Sequence, residues 1–253
     1  MFIFSEESTA SKMVEAIVGC SYLGMERCAE EYADFSYKNG KGQHGWALIF
    51  QQISETLPEM GYRVIQRTAG SWPYAVMFDP YSGTAITLLR EENYRNRQDE
   101  IQRGIIHYVH AGIPANADLN NEEPVYKQMS LFDSETGEEI QEKNQKPYEE
   151  LKKAIGEKIL RYGILTFRMD PLQYIKDCNL NILNAEGALI EVVNYDYAIP
   201  MNWKDAVPEQ DITRFAVSGD FEHGGQIDDM PDLKPRKELK KERRIRNECN
   251  CHI

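Results

Sequence analysis

Four groups of residues in this chain have types and spacings that can do chemistry. Asp79 closes a run of aromatic and β-branched residues, and Glu91 and Glu92 close the next. A meander of short strands would carry all three to one end of a sheet. In a metal-dependent nuclease, carboxylates gathered there hold the divalent ion that activates water and stabilises the leaving oxygen. Such a site also needs Glu-x-Lys on the second strand, whereas this chain reads Arg90-Glu91-Glu92-Asn93. The plainer reading of Asp79 is a turn former ahead of Pro80. His107 and His110, at i and i+3, would share one face of a helix and could share a metal. Glu100, the nearest third ligand, would lie about 10 Å along the axis, so packing histidines are the simpler reading. The run Gly40-Lys41-Gly42-Gln43-His44-Gly45 precedes a helix, a general anion-binding geometry, but it lacks the Gly-Lys-Ser/Thr ending of a phosphate loop. Cys249-Asn250-Cys251-His252 offers only three neighbours for a soft metal. No cofactor is implied by any of these.

The elements that must position these groups can be read from periodicity. Ser8 or Thr9 caps a helix with Met13, Ile17 and Cys20 on one face, and Leu23 to Phe35 repeats the pattern as a second helix. The glycines of residues 38–45 then predict a loop. Trp46, Ile49, Phe50, Ile53 and Leu57 form a buried helical stripe that Pro58 and Gly61 terminate. Residues 62–68, 71–79 and 84–89 read as an antiparallel meander, and residues 95–112 as a helix carrying Ile101, Ile105, Tyr108 and Val109 inward. From 113 to 147 the chain is rich in Asn, Glu, Gln, Lys and Pro, and 35 residues exceed an ordinary ordered loop. The expected fold class is therefore α+β. A helical N-terminus and meander (1–112) precede a flexible linker (113–147) and a smaller α+β module (148–205). In that module a helix covers 148–162, extended runs lie near 164–169, 172–182 and 188–193, and Trp203 closes the core. An acidic segment (206–233) and a basic tail (234–253) follow.

Charge limits the function classes. The net charge is −12, yet residues 234–246 hold eight Lys/Arg against two Glu. With that +6 and the −1 of Glu248 set apart, residues 1–233 carry −17. A body this acidic repels nucleic-acid phosphates. Contact with nucleic acid falls to the tail, through Lys240, Lys241, Arg243, Arg244 and Arg246, or to another protein. No run approaches the roughly 18 apolar residues of a membrane helix, the N-terminus lacks a signal-peptide pattern, and five scattered cysteines form no disulfide framework. A cytoplasmic location is expected.

Within the polar 113–147 stretch, Gln128-Met129-Ser130-Leu131-Phe132 sets two large apolar residues side by side. It resembles the pentapeptide Gln-Leu-(Ser/Asp)-Leu-Phe through which bacterial polymerases and repair factors dock on the DNA polymerase sliding clamp. An extended peptide of this kind buries Leu131 and Phe132 in an apolar pocket, while the Gln128 amide makes directional hydrogen bonds. Met129 for Leu conserves volume. The simpler reading is that Leu131 and Phe132 pin the segment to the protein's own surface.

The order of features Gly45-Trp46, Gly70-Ser71-Trp72, Phe78-Asp79, Thr87-Leu88-Leu89-Arg90-Glu91 and His107-Tyr108, followed by the Gln-x-Ser-Leu-Phe peptide, resembles a bacterial and mobile-element family of unknown function over roughly residues 40–205. The basic tail departs from it. The resemblance implies no activity. Together the features point to a protein of bacterial or phage DNA metabolism, defence or counter-defence that docks on the clamp. A nuclease using Asp79 and Glu91, or an acidic inhibitor that mimics nucleic acid, are the alternatives.

Overall fold

A computed structural model describes residues 8–34, 40–69, 72–101, 103–125, 137–169 and 175–200. Helix α1 spans Thr9–Glu31, with the Ser8 hydroxyl accepting from the Ser11 amide at 3.1 Å. It is one continuous helix where the periodicity suggested two. Its inner face keeps Met13, Val14, Ile17, Cys20, Met25 and Cys28 in one stripe, so nothing at residues 21–23 interrupts it. Helix α2 spans Lys41–Glu59, so most of the glycine-rich stretch expected as a loop forms its first turns. Each of Ile49, Ile53 and Leu57 is fully buried, which contributes roughly 1.5–3 kcal/mol per side chain. At Gly24 the two helices touch: a Cβ there would lie 2.7 Å from the Ile49 amide nitrogen.

Strands β1 (Arg63–Ala69), β2 (Trp72–Asp79) and β3 (Thr84–Arg90) form the expected antiparallel meander. Helix α3 (Glu91–Ile101) follows β3 directly. It does not run on to 112. Gly104 has φ of 68°, a left-handed conformation suited to glycine, and the chain continues into short 3₁₀ turns at Tyr108–His110 and Ile113–Leu119. Helix α4 spans Gly137–Ile155, ahead of β4 (Arg161–Met169), β5 (Ile175–Leu183) and β6 (Leu189–Asn194).

All six strands belong to one sheet in the order β1-β2-β3-β4-β5-β6, antiparallel except for the parallel β3–β4 pair. The boundaries drawn at 112 and 147 therefore coincide with no break in the sheet. Within the stretch expected to be flexible, residues 113–119 form a turn and 137–147 begin α4. Polar composition misleads there because a crossover helix needs only a narrow apolar stripe, supplied by Ile140, Leu151 and Ile155. The architecture is α+β, in three layers. Helices α1 and α2 cover one face against Met77, Ile86, Leu88, Leu165, Phe167 and Leu180. The crossover covers the other against Val76, Phe78, Ala85, Leu89 and Ile164.

Two polar residues lock the crossover to the sheet. In the β4–β5 ladder Ile164 pairs with Asn181, so Tyr162 and Leu183 would be the next non-adjacent pair in the same register. Asn116 is inserted there instead. Its Nδ2 donates to the carbonyls of Tyr162 (2.9 Å) and Leu183 (2.6 Å), and its Oδ1 accepts from the Tyr162 amide (2.9 Å). The Tyr162 hydroxyl donates to the Val109 carbonyl at 2.8 Å and shares a 2.9 Å hydrogen bond with Thr87. Its ring lies so close to Gly112 that a Cβ there would sit 2.0 Å away.

Candidate functional site

Asp79 is fully buried at the end of β2. It accepts from the Thr9 hydroxyl (2.6 Å), the Ser82 hydroxyl (2.6 Å) and the Tyr81 amide (3.0 Å). It thus ties the β2–β3 turn to the start of α1. Asp79 pairs with Thr84, at the first residue of β3, whereas Glu91 lies beyond its last. Seven residues of extended chain separate them by roughly 23 Å. The two carboxylates expected at one end of the meander stand at opposite ends, because the strand joining them runs the full height of the sheet. Glu91 pairs with Arg95, one helical turn on, at 2.5 Å. Among the described residues no group of three or more His, Cys, Asp or Glu is placed to hold a metal.

His107 and His110 sit on no α-helix. His107 caps the 3₁₀ turn and His110 is its last residue, with ring centroids 6.4 Å apart. His110 is fully buried, and neither ring nitrogen has a hydrogen-bond partner. Burial, reinforced by His107 and Arg97, pushes its pKa down to about 3. The His107 ring packs tilted against Tyr108 at 4.2 Å, as Tyr74 does at the same distance, and the His107 Nδ1 is buried and unpartnered. Burial first, then Arg97, lowers its pKa to about 4. Both imidazoles are therefore neutral near pH 7.

His107 lines a cleft of about 540 Å³ where the layers part beyond the carboxyl ends of β1 and β3. Trp46 and Phe50 contribute one wall from α2, their rings 5.5 Å apart. Tyr108 and His107 contribute from the opposite layer, and α3 adds Asn93 and Arg97. Arg97 Nη1 is bonded to both carboxylate oxygens of Glu100. The helical periodicity marked Trp46 and Phe50 as part of a buried stripe. In the structure both are half-buried, because the sheet edge ends beneath them. Asn93 and Arg97 had no signal beyond their place four residues apart on α3.

Gln128, Met129, Ser130, Leu131 and Phe132 lie outside the described residues. So do Lys240, Lys241, Arg243, Arg244, Arg246, Trp203 and Cys249 to His252. The residues flanking the peptide are described. The Val125 amide donates to the Leu189 carbonyl at 2.9 Å, and Gly137 packs on the Glu186 side chain. Both ends of the segment 126–136 are thus held beside the β5–β6 turn. No described helix is long and apolar enough to cross a membrane.

A family model matches residues 4–248. The chain belongs to DUF5986, a family of unknown function. The DUF5986 match takes in α1 and most of the basic tail, both beyond the 40–205 span over which a family pattern was read. No curated protein and no solved structure matches the chain.

Proposed function

We propose that this DUF5986 protein is a docking factor of bacterial or phage DNA metabolism that binds the DNA sliding clamp through Gln128–Phe132. The single observation behind the reading is the peptide itself: Gln, a spacer, Ser, then adjacent Leu and Phe within an otherwise polar stretch. Its flanks are compatible with docking. Between Val125 and Gly137 lie residues 126–136, a chain that can extend about 3.3–3.6 Å per residue. A tether fixed at both ends beside one turn can project that peptide while losing less entropy on binding than a free tail. Recruitment by a protein groove also suits a body carrying −17 over residues 1–233, which phosphates repel. The basic residues Lys240, Lys241, Arg243, Arg244 and Arg246 would then add a secondary, salt-sensitive contact with DNA threaded through the clamp.

The test is a calorimetric isotherm of the full chain with a purified bacterial sliding clamp, run beside Leu131→Ala/Phe132→Ala. Two buried side chains contribute a few kcal/mol, so the double variant should bind at least about tenfold more weakly. A synthetic peptide of residues 126–136 should compete. A wild-type chain that does not bind the clamp overturns the reading. It would leave capture of a basic protein by the acidic body as the function to pursue.

A further inference from the structure

The two edges of the sheet are finished differently. An edge strand exposes a row of backbone donors and acceptors, and folded proteins blunt it with bulges, prolines, lysines or a covering segment. The β6 edge has six residues, its pairing shifts between Ile182 and Leu183, and the Val125 amide is bonded to the Leu189 carbonyl. The β1 edge has none of these devices. All seven residues of Arg63–Ala69 pair with β2 in unbroken register, and the strand contains neither proline nor lysine. Among the described residues no backbone group is bonded to its outer side. Gln66 and Thr68 are exposed, and Val64 and Ile65 are only half-buried. Its two cations are already partnered on the crossover face, Arg63 with Glu157 at 2.7 Å and Arg67 with Glu150 at 3.8 Å. On the other face a groove of about 550 Å³ opens between α2 and the strand, lined by Ala47, Phe50, Gln51, Thr68 and Ala75.

We propose that β1 is the contact through which two copies of this chain pair, antiparallel about a two-fold axis at Gln66, joining two six-stranded sheets edge to edge. The strand is complementary to itself in the one antiparallel register that overlaps all seven residues. Arg63 then faces Ala69, Val64 faces Thr68, Ile65 faces Arg67, and Gln66 faces its own copy. The β-branched pair Val64–Thr68 is of a kind that stabilises sheets, and two facing glutamine amides can donate to each other. Neighbouring registers are worse. Moving the axis to Ile65 sets Arg63 against Arg67, and moving it to Arg67 sets that residue against itself. With the axis at Gln66 the two Arg67 lie on a diagonal, roughly 7–8 Å apart. Each can then share the other copy's Glu150, which its own chain holds at only 3.8 Å. On the α2 face, Val64 and Thr68 of the second copy fall at the mouth of the groove. Seven residues a side sits at the small end of interface sizes, which suits a reversible dimer and not a permanent one.

Sedimentation equilibrium of the full chain tests this at about 0.15 M salt, where repulsion between two chains of net charge −12 is largely screened. A monomer–dimer equilibrium with a Kd of roughly 1–100 μM is expected. Gln66→Lys and Gln66→Glu each put like charges on the axis and should weaken the dimer at least about tenfold. An equimolar mixture of the two variants should restore it as a heterodimer. Gln66 is exposed, so both variants should keep the near-ultraviolet circular dichroism of wild type. Hydrogen exchange at residues 63–69 should slow as the concentration rises through the Kd. A chain that stays monomeric at several hundred micromolar overturns the assignment. Fast exchange in that monomer would mean an open edge, and slow exchange an edge covered by another segment of the same chain. The assignment also fails if both variants leave the dimer intact or if their mixture does not pair. Clamp docking and this pairing can therefore fail separately.

Discussion

Replacing Asn116 by alanine tests whether the crossover between β3 and β4 is part of the folded core. Asn116 is fully buried and makes three hydrogen bonds of 2.6–2.9 Å, all to backbone groups of Tyr162 and Leu183. An alanine there strands one amide and two carbonyls in a site closed to water. Each net hydrogen bond is worth about 0.5–1.5 kcal/mol, and an unsatisfied buried group costs about 1–3 kcal/mol. The three together, acting on shared atoms, should cost about 3–4 kcal/mol. For a domain of this size that is a fall in melting temperature of very roughly 8–12 °C. The assay is urea unfolding followed by tryptophan fluorescence and far-ultraviolet circular dichroism, with Asn116→Asp as a companion. Aspartate keeps the acceptor for the Tyr162 amide but has no amide protons for the carbonyls, so it should fall below wild type as well. A loss under about 1 kcal/mol for the alanine variant would mean that residues 113–119 are a loosely held connection and would refute this account of the sheet.

Two further outcomes follow from buried polar groups. Asp79→Ala removes the acceptor of three hydrogen bonds at a fully buried position. It should cost about 2–4 kcal/mol, and the fall in melting temperature should be the same with and without magnesium; a metal-dependent loss would restore a catalytic role. His107 and His110 have folded pKa values lowered to about 4 and about 3, so the unfolded chain takes up protons first as pH falls below about 6.5. Stability should decline from there toward pH 4.5, above the range where the lowered carboxyls of Glu31 and Asp118 titrate. His110→Leu should flatten that slope and hold or raise stability at pH 7, because it removes two buried nitrogens without partners. Thermal melts at half-unit pH intervals read both effects, and an unchanged slope would refute the burial argument.

The meander was legible because its signals are local. Alternation over residues 62–68, the aromatic and β-branched run that follows and the Asp79–Gly83 turn give three strands to within about two residues, although β3 is buried on both faces. The parallel β3–β4 pairing was not legible. It joins residues 84–90 to 161–167, 77 positions apart, and no spacing in the chain records a partner at that distance. The polar crossover then passed for a linker, since Asn116, Asn144 and Tyr162 do by hydrogen bonding what an apolar run does elsewhere. The candidate carboxylate pair failed for a related reason. Proximity in sequence across a turn puts Asp79 beside Thr84, while strand length carries Glu91 to the far end. Trp46 and Phe50 were found, but their role depends on where the sheet stops, which helical periodicity does not contain.

The parallel pair also fixes what the crossover can do. Residues 91–160 must leave the top of β3 and return to the bottom of β4, so they span the whole height of the sheet on one face. The cleft lies where this path leaves the sheet, and Asn93, Arg97, His107 and Tyr108 are all on its first limb. Residues 126–136 fall in the path's later part, between Val125 and Gly137, which both contact the β5–β6 region. Between the two limbs stand Asn116 and the Tyr162 ring against Gly112, contacts with almost no free volume. A contact that orders the first limb and one that holds the second would therefore act on one packed segment. Coupling between them requires that segment to have two arrangements with different affinities. The fully buried Asn116 and Tyr162 make such a second arrangement costly. The crossover is thus a rigid scaffold, and contacts made at its two limbs should be independent of one another.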